Sequence, residues 1–308
     1  ELTEQYVAEL GMVAARELDV TKVLVGRDTR ESGKQLETAL ANGLLAGGVS
    51  VELLGVAPTP AIAFLAAKRG CASAAITASH NPYLDNGVKL FANGGVKLSD
   101  AQQDAIESHM TGSATVPAAS ALQVDLLGEY ASHIVGLFPV LAFANIRVVL
   151  DCANGAMSDV APEVFARLGA TVIVLNDRPN GKNINEVCGA THPEVVSEAV
   201  RLHKADLGLA FDGDGDRVIA VDHIGDVVDG DHLIALAAID LHKRGKLKSN
   251  SVAVTVMTNA GFHQAMTKAG INVITTPVGD RNILVAFDEH GVVLGGEQSG
   301  HIIYRDYA

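Results

Sequence analysis

Cysteine is scarce: Cys71, Cys152 and Cys188 are odd in number and widely spaced, and they match no zinc pattern such as C-x-x-C. Neither a disulfide framework nor a thiolate zinc site is expected, and the three are read as reduced cytosolic thiols. Basic residues are also in deficit, 23 Lys and Arg against 36 Asp and Glu, for a formal charge of −13. That charge repels polyanions at long range and argues against a general nucleic-acid binder, so an anionic substrate needs a local metal or arginine cluster. No apolar run approaches the roughly eighteen residues of a membrane helix; the stretch from Leu233 to Ile239 ends at Asp240. The opening residues carry no basic start, long apolar centre or small-residue cleavage site. A soluble, cytoplasmic protein is expected, without nucleic-acid or membrane partners. The chain opens on Glu1 rather than Met, so its true start is expected upstream.

With 48% hydrophobic and 19% charged residues over 308 positions, the chain has the composition of a folded protein and the length of two or three domains. One pattern occurs at residues 22–55, 146–176 and 251–277: a β-branched run, a polar turn into a helical stretch, then a glycine and a second strand. The exit glycines Gly48, Gly169 and Gly270 stand where a left-handed helix C-cap belongs. Each copy reads as a β-α-β unit with ligand-binding loops beyond the carboxyl ends of its parallel strands. The weaker segments between them, a small polar loop at 111–121 and a charged stretch at 242–250, divide the chain into 1–133, 134–240 and 241–308.

Three motifs carry chemistry. Asp212, Asp214 and Asp216 alternate with glycine between two apolar runs and precede Arg217; in an extended chain alternate side chains point one way. At about 4 Å and an effective dielectric near 20, each like-charged pair costs roughly 4 kcal/mol, so a loop gathering all three wants a cation. An EF-hand is excluded, because counting from Asp212 puts Arg217 at the glycine position and His223 at the bidentate glutamate position. Hard oxygen donors suit magnesium. The second motif, TASHNP at 77–82, follows a short apolar strand and holds Ser79 on a loop, with His80 and Lys89 as proton or charge partners. No G-x-S-x-G elbow surrounds that serine, which lowers the acyl-transfer option. In the third, GEQSGH at 296–301, glycines allow close backbone approach, Glu297 can accept from two sugar hydroxyls, and Ser299 can add one more hydrogen bond. Arg27, Arg30 and Arg281 read equally as surface ion pairs or phosphate clamps.

Together, and in this order, the motifs resemble those of the α-D-phosphohexomutase superfamily. Gln298, CANGA at 152–156 and NINEVCGATHPE at 183–194 are similar to its bacterial branch acting on glucosamine phosphates. The resemblance covers the whole chain and implies an α/β fold of three similar domains, each a mixed sheet sandwiched by helices. It implies an intramolecular phosphotransferase that interconverts glucosamine 6-phosphate and glucosamine 1-phosphate through a phosphoserine and a 1,6-bisphosphate, supplying amino-sugar nucleotide and cell-wall precursor synthesis. Carried over by position, Ser79 bears the phosphoryl group and joins Asp212, Asp214 and Asp216 around Mg2+. Lys89 and His301 line the active site as catalytic residues, while Glu297, Ser299, Arg217, His80 and Arg281 bind substrate. A glucose or mannose mutase of the same superfamily, an aspartate-nucleophile phosphatase and a non-catalytic metal-binding module are the rivals; a homodimer is compatible with all of them. The superfamily's N-terminal G-T-D-G-x-R-G segment and its fourth, phosphate-gripping domain have no counterpart here. The residues therefore read as a fragment, and a protein lacking both parts is expected to turn over little or no substrate.

Overall fold

The apolar run that opens each repeat becomes a strand covered on both faces, as in parallel sheets flanked by helices. The computed structural model describes residues 2–112 and 115–306; Ser113 and Ala114, within the loop expected at 111–121, lie outside them. In the first unit β1 (Lys22–Arg27), β2 (Ser50–Val56), β3 (Ala72–Ile76), β4 (Val88–Ala92), β5 (Val96–Lys97) and β6 (Leu122–Gln123) form one sheet in the order β5-β4-β3-β1-β2-β6. The second unit orders β7 (Arg147–Asp151), β8 (Thr171–Leu175), β9 (Leu207–Phe211), β10 (Val218–Val221) and β11 (Val227–Val228) as β11-β10-β9-β7-β8. The third orders β12 (Ser251–Thr255), β13 (Asn272–Thr276), β14 (Leu294–Gly296) and β15 (Ile302–Tyr304) as β13-β12-β14-β15.

The repeat runs deeper than the β-α-β pattern. In every unit the first strand pairs parallel with the second and the third, and a fourth runs antiparallel to the third. The link from third to fourth strand carries TASHNP in the first unit, DGDGDR in the second and GEQSGH in the third. All three motifs thus occupy one topological position. The exit glycines adopt φ of +94° (Gly48), +92° (Gly169) and +70° (Gly270), the left-handed region that residues with a Cβ avoid.

The limits drawn at 133 and 240 fall inside the helices Leu127–Gly136 and Gly230–Lys243. The first helix packs Tyr130 and Ala131 on Ala61 of the first unit and on Val160, Val164 and Leu168 of the second. The other helix buries Ile234, Ala238 and Leu241 with Val252, Val254 and Leu294. At about 1.5–3 kcal/mol for each fully buried large aliphatic side chain, that face ties the helix to the third core, and we propose that the third unit begins before Gly230. The strand β6 was not foreseen; its side chains are exposed at the sheet edge, so no alternation of burial marks it. Among the described residues no helix is long and apolar enough to cross a membrane.

Candidate active site

Ser79 has a left-handed backbone (φ +51°), which costs a residue with a side chain roughly 1–2 kcal/mol. Contacts on both sides hold it there. Its N–H donates to Thr77 Oγ1 at 2.8 Å, and its carbonyl accepts from Arg30 Nη2 and Asn185 Nδ2, both at 2.9 Å. So fixed, the hydroxyl donates to Asp212 Oδ2 at 2.5 Å, across 133 residues of chain. His80 Nδ1 lies 3.4 Å from the same oxygen.

The metal-type loop is not extended. Gly215, at φ +72°, turns the chain so that its N–H reaches the Asp212 carbonyl at 3.1 Å. The turn, rather than alternation along a strand, brings the three carboxylates together, with one oxygen from each within 4.8 Å of the others. Asp212 and Asp214 are each 1% exposed. Asp212 Oδ1 accepts from the Arg217 N–H at 3.1 Å. Asp214 Oδ2 accepts from the Thr59 hydroxyl at 2.6 Å, and its carbonyl from the Thr59 N–H at 2.9 Å. The helix Thr59–Arg69 therefore starts against the acidic loop, where its N-terminal dipole favours negative charge. Lys89 Nζ donates to Asp214 Oδ2 at 2.7 Å and Asp216 Oδ2 at 2.8 Å.

Burial, reinforced by the charges of Asp214 and Asp216, pushes the Asp212 carboxyl well above the usual carboxylate range; the Ser79 hydroxyl and Arg217 N–H only partly offset this. Burial acts the same way on Asp216, but His301 and Lys89 outweigh it and hold that carboxyl below its usual range. For Lys89 burial opposes the charge, yet Asp214 and Asp216 overcome it and raise the ammonium. Asp214 Oδ1, Asp216 Oδ1 and Arg217 Nε are buried without a hydrogen-bond partner; Arg217 Nε and Asp216 Oδ1 face each other at 3.9 Å, too far for a hydrogen bond. Buried carboxylate oxygens left bare are costly, and three clustered carboxylates with two such oxygens fit a hard divalent cation.

The third motif joins from the other side. His301 lies between Asp216 Oδ1, 3.8 Å from Nδ1, and Asp280 Oδ2, 3.7 Å from Nε2. Glu297 Oε1 accepts from the Gly279 N–H at 3.0 Å, while Ser299 is exposed. Arg281, expected to bind substrate, instead crosses to the first unit, pairing with Asp100 and donating to the Leu98 carbonyl at 2.5 Å. Those partners take up its guanidinium and make it an interdomain tie. Lys97 pairs with Asp280 beside it. Burial, with the charges of Lys89 and Arg281, lowers the Lys97 ammonium to about 8 from 10.5. The unfolded chain thus keeps this proton to higher pH, and the contribution of Lys97 to stability rises from about pH 8 to about pH 10.5. Thermal unfolding is expected to show wild type gaining on Lys97→Met across that window.

Ser79, Lys89, Arg217, His80, His301 and the three aspartates therefore meet, whereas Arg281 does not join them. Asn185, Thr59, Lys97 and Asp280 were not identified as site residues, and Arg30, read as a surface ion pair or a phosphate clamp, is instead buried with its donors spent on Asp28 and the Ser79 loop; each acts through a contact distant in sequence. Gly213 shows how closely the first two loops fit: a Cβ there would lie 2.7 Å from the Ser79 carbonyl oxygen and 2.8 Å from Asn185 Nδ2. Gly213→Ala is expected to part the loops and weaken divalent-metal binding, measured by titration calorimetry, by about tenfold or more.

Comparison with known proteins agrees with this architecture. Phosphoglucomutase/phosphomannomutase alpha/beta/alpha domains I, II and III match residues 1–116, 128–225 and 229–308. A phosphoglucosamine mutase of Desulforudis audaxviator is 46% identical over all of this chain. The chain belongs to the phosphoglucosamine mutase family of phosphohexomutases. A second family member, from Frankia casuarinae, is 49% identical over 93% of the chain. The chain spans 71% of the length of the first relative and 64% of the second. A crystal structure of a phosphoglucomutase/phosphomannomutase family protein from Burkholderia thailandensis superposes with a TM-score of 0.88 at 27% identity, covering 100% of this chain and 69% of that one. Three alpha/beta/alpha domains of the family are thus present in this chain.

Proposed function

We propose that this chain carries the phosphoserine, metal and sugar-recognition parts of an enzyme that interconverts glucosamine 6-phosphate and glucosamine 1-phosphate. The observation that carries the reading is the 2.5 Å contact between the Ser79 hydroxyl and a carboxylate of the Asp212, Asp214 and Asp216 cluster, supported by the family's relatives. Phosphorylated Ser79 donates to O1 of glucosamine 6-phosphate: the O1–P bond forms, the P–Oγ bond breaks, and the hydroxyl proton leaves O1. The resulting 1,6-bisphosphate reorients, and its 6-phosphoryl returns to Ser79 with release of glucosamine 1-phosphate.

Such a transfer asks mainly for positioning and charge neutralisation. Lys89, held charged by two carboxylates, supplies charge rather than a base. His301, between Asp216 and Asp280, is placed to move the hydroxyl proton. Arg217 and His80 face the phosphoryl group, and Glu297 and Ser299 take the sugar hydroxyls. Ser79, Asp212, Asp214 and Asp216 would hold Mg2+, which when bound supplies charge stabilisation at the serine phosphate.

Side-by-side assay of glucosamine, glucose and mannose 6-phosphates with the full-length protein tests the substrate. A kcat/KM at least about tenfold higher for the amino sugar is expected. Equal or better turnover of either neutral sugar assigns the other branch.

A further inference from the structure

Arg30 is among the largest fully buried side chains, 1% exposed. Burying a guanidinium carries a desolvation penalty that pairing can fail to repay, and apolar replacement of a buried ion pair is often neutral or stabilising. Its contacts suggest a different use for that charge. A guanidinium has five N–H donors, and Arg30 employs every one. Nε goes to Asp28 Oδ2 at 2.8 Å; Nη1 goes to the Pro82 carbonyl and, at 2.9 Å, to that of Asp85; Nη2 goes to the carbonyls of Ser79 and Asn81, both at 2.9 Å. Four donors from one rigid plane thus end on the main chain of the loop that carries Ser79.

Asn185, from the second unit, reaches the same place. Its Nδ2 donates to the Ser79 carbonyl at 2.9 Å and to the Asn81 carbonyl at 3.0 Å. Its own backbone is left-handed (φ +59°) and anchored by its N–H to the Ala153 carbonyl at 3.0 Å. Two side chains, 49 residues before and 106 residues after Ser79, therefore converge on the same two carbonyls. Neither touches the hydroxyl, but together they hold the left-handed peptide from which it points at Asp212.

We propose that Arg30 and Asn185 are positioning residues for phosphoryl transfer, fixing the Ser79 hydroxyl on the acidic loop through the carbonyls of Ser79 and Asn81. The inference rests on Ser79 being the phosphoryl carrier. Because a misplacement of about 1 Å can cost about a hundredfold in rate, loosening this brace acts on transfer more than on binding.

The test uses the full-length protein with Asn185→Ala and Arg30→Lys. Ser79 phosphorylation by glucosamine 1,6-bisphosphate is followed by intact mass, with kcat, KM, Mg2+ affinity and amide exchange across residues 79–86 measured beside it. Asn185→Ala is expected to slow phosphorylation and kcat about tenfold, and Arg30→Lys about a hundredfold. KM stays within about twofold, Mg2+ affinity falls by less than the phosphorylation rate, and the loop amides exchange faster. Should Arg30→Lys fail to fold, the half-exposed Asn185 decides. Wild-type phosphorylation rates in Asn185→Ala, or a loss spread equally over KM and metal affinity, overturn the inference while leaving the serine carrier intact. Wild-type protein that takes no phosphate on Ser79 overturns the carrier reading and this inference with it.

Discussion

Ser79→Ala is expected to accept no phosphate from a sugar 1,6-bisphosphate and to lose about a thousandfold or more in mutase turnover. The magnitude follows from removing the atom to which phosphorus bonds, because groups that act as one unit fail together. The variant retains Asp212, Asp214, Asp216 and Lys89, so it should still bind Mg2+. Intact mass separates the alternatives: phosphate on wild type and none on the variant names the serine. Phosphate retained by the variant on an aspartate of residues 212–216 names the acidic loop as acceptor and removes the mutase mechanism.

The second large effect is a reversal of stability order with metal. Asp212 is 1% exposed, is repelled by Asp214 and Asp216, and has neither contact to Lys89 that those two enjoy. Asparagine is close to isosteric and can keep the Arg217 N–H bond while its amide faces the Ser79 oxygen. In EDTA Asp212→Asn is therefore expected to be more stable than wild type by about 1–2 kcal/mol, the repulsion relieved. At a Mg2+ concentration about 100 times the wild-type Kd, wild type gains about 2.7 kcal/mol by linkage and the variant little. Thermal unfolding of both proteins in both buffers should show the crossing. A variant that is less stable in EDTA and equally stabilised by Mg2+ would mean that Asp212 is no ligand.

The sequence exposes those parts of the molecule whose physics is local. Strand, helix and left-handed glycine follow one another within each repeat, and Gly48, Gly169 and Gly270 adopt the conformation their positions imply. Three aspartates in five residues point to a cation by mutual repulsion alone, although the turn at Gly215 that gathers them depends on packing. Topological equivalence of the three motif loops is hidden, because β4, β10 and β15 are short and share no obvious pattern. Long-range partners are hidden too. Thr59 opens a helix after Pro58, and nothing nearby in the sequence tells of Asp214, 155 residues on. Arg30 and Arg281 look alike in sequence; one proves a buried brace and the other an interdomain tie, since each guanidinium's role is set by carbonyls and carboxylates that only the fold supplies.

The most direct measurement of the central claim, a single centre shared by the Ser79 phosphate and the aspartate triad, is electron-nuclear double resonance on phosphorylated protein loaded with Mn2+ in place of Mg2+. A 31P coupling that disappears in Ser79→Ala, with Mn2+ still bound, is the expected result. Manganese bound by the aspartates of wild-type phosphoprotein with no phosphorus coupling would contradict it.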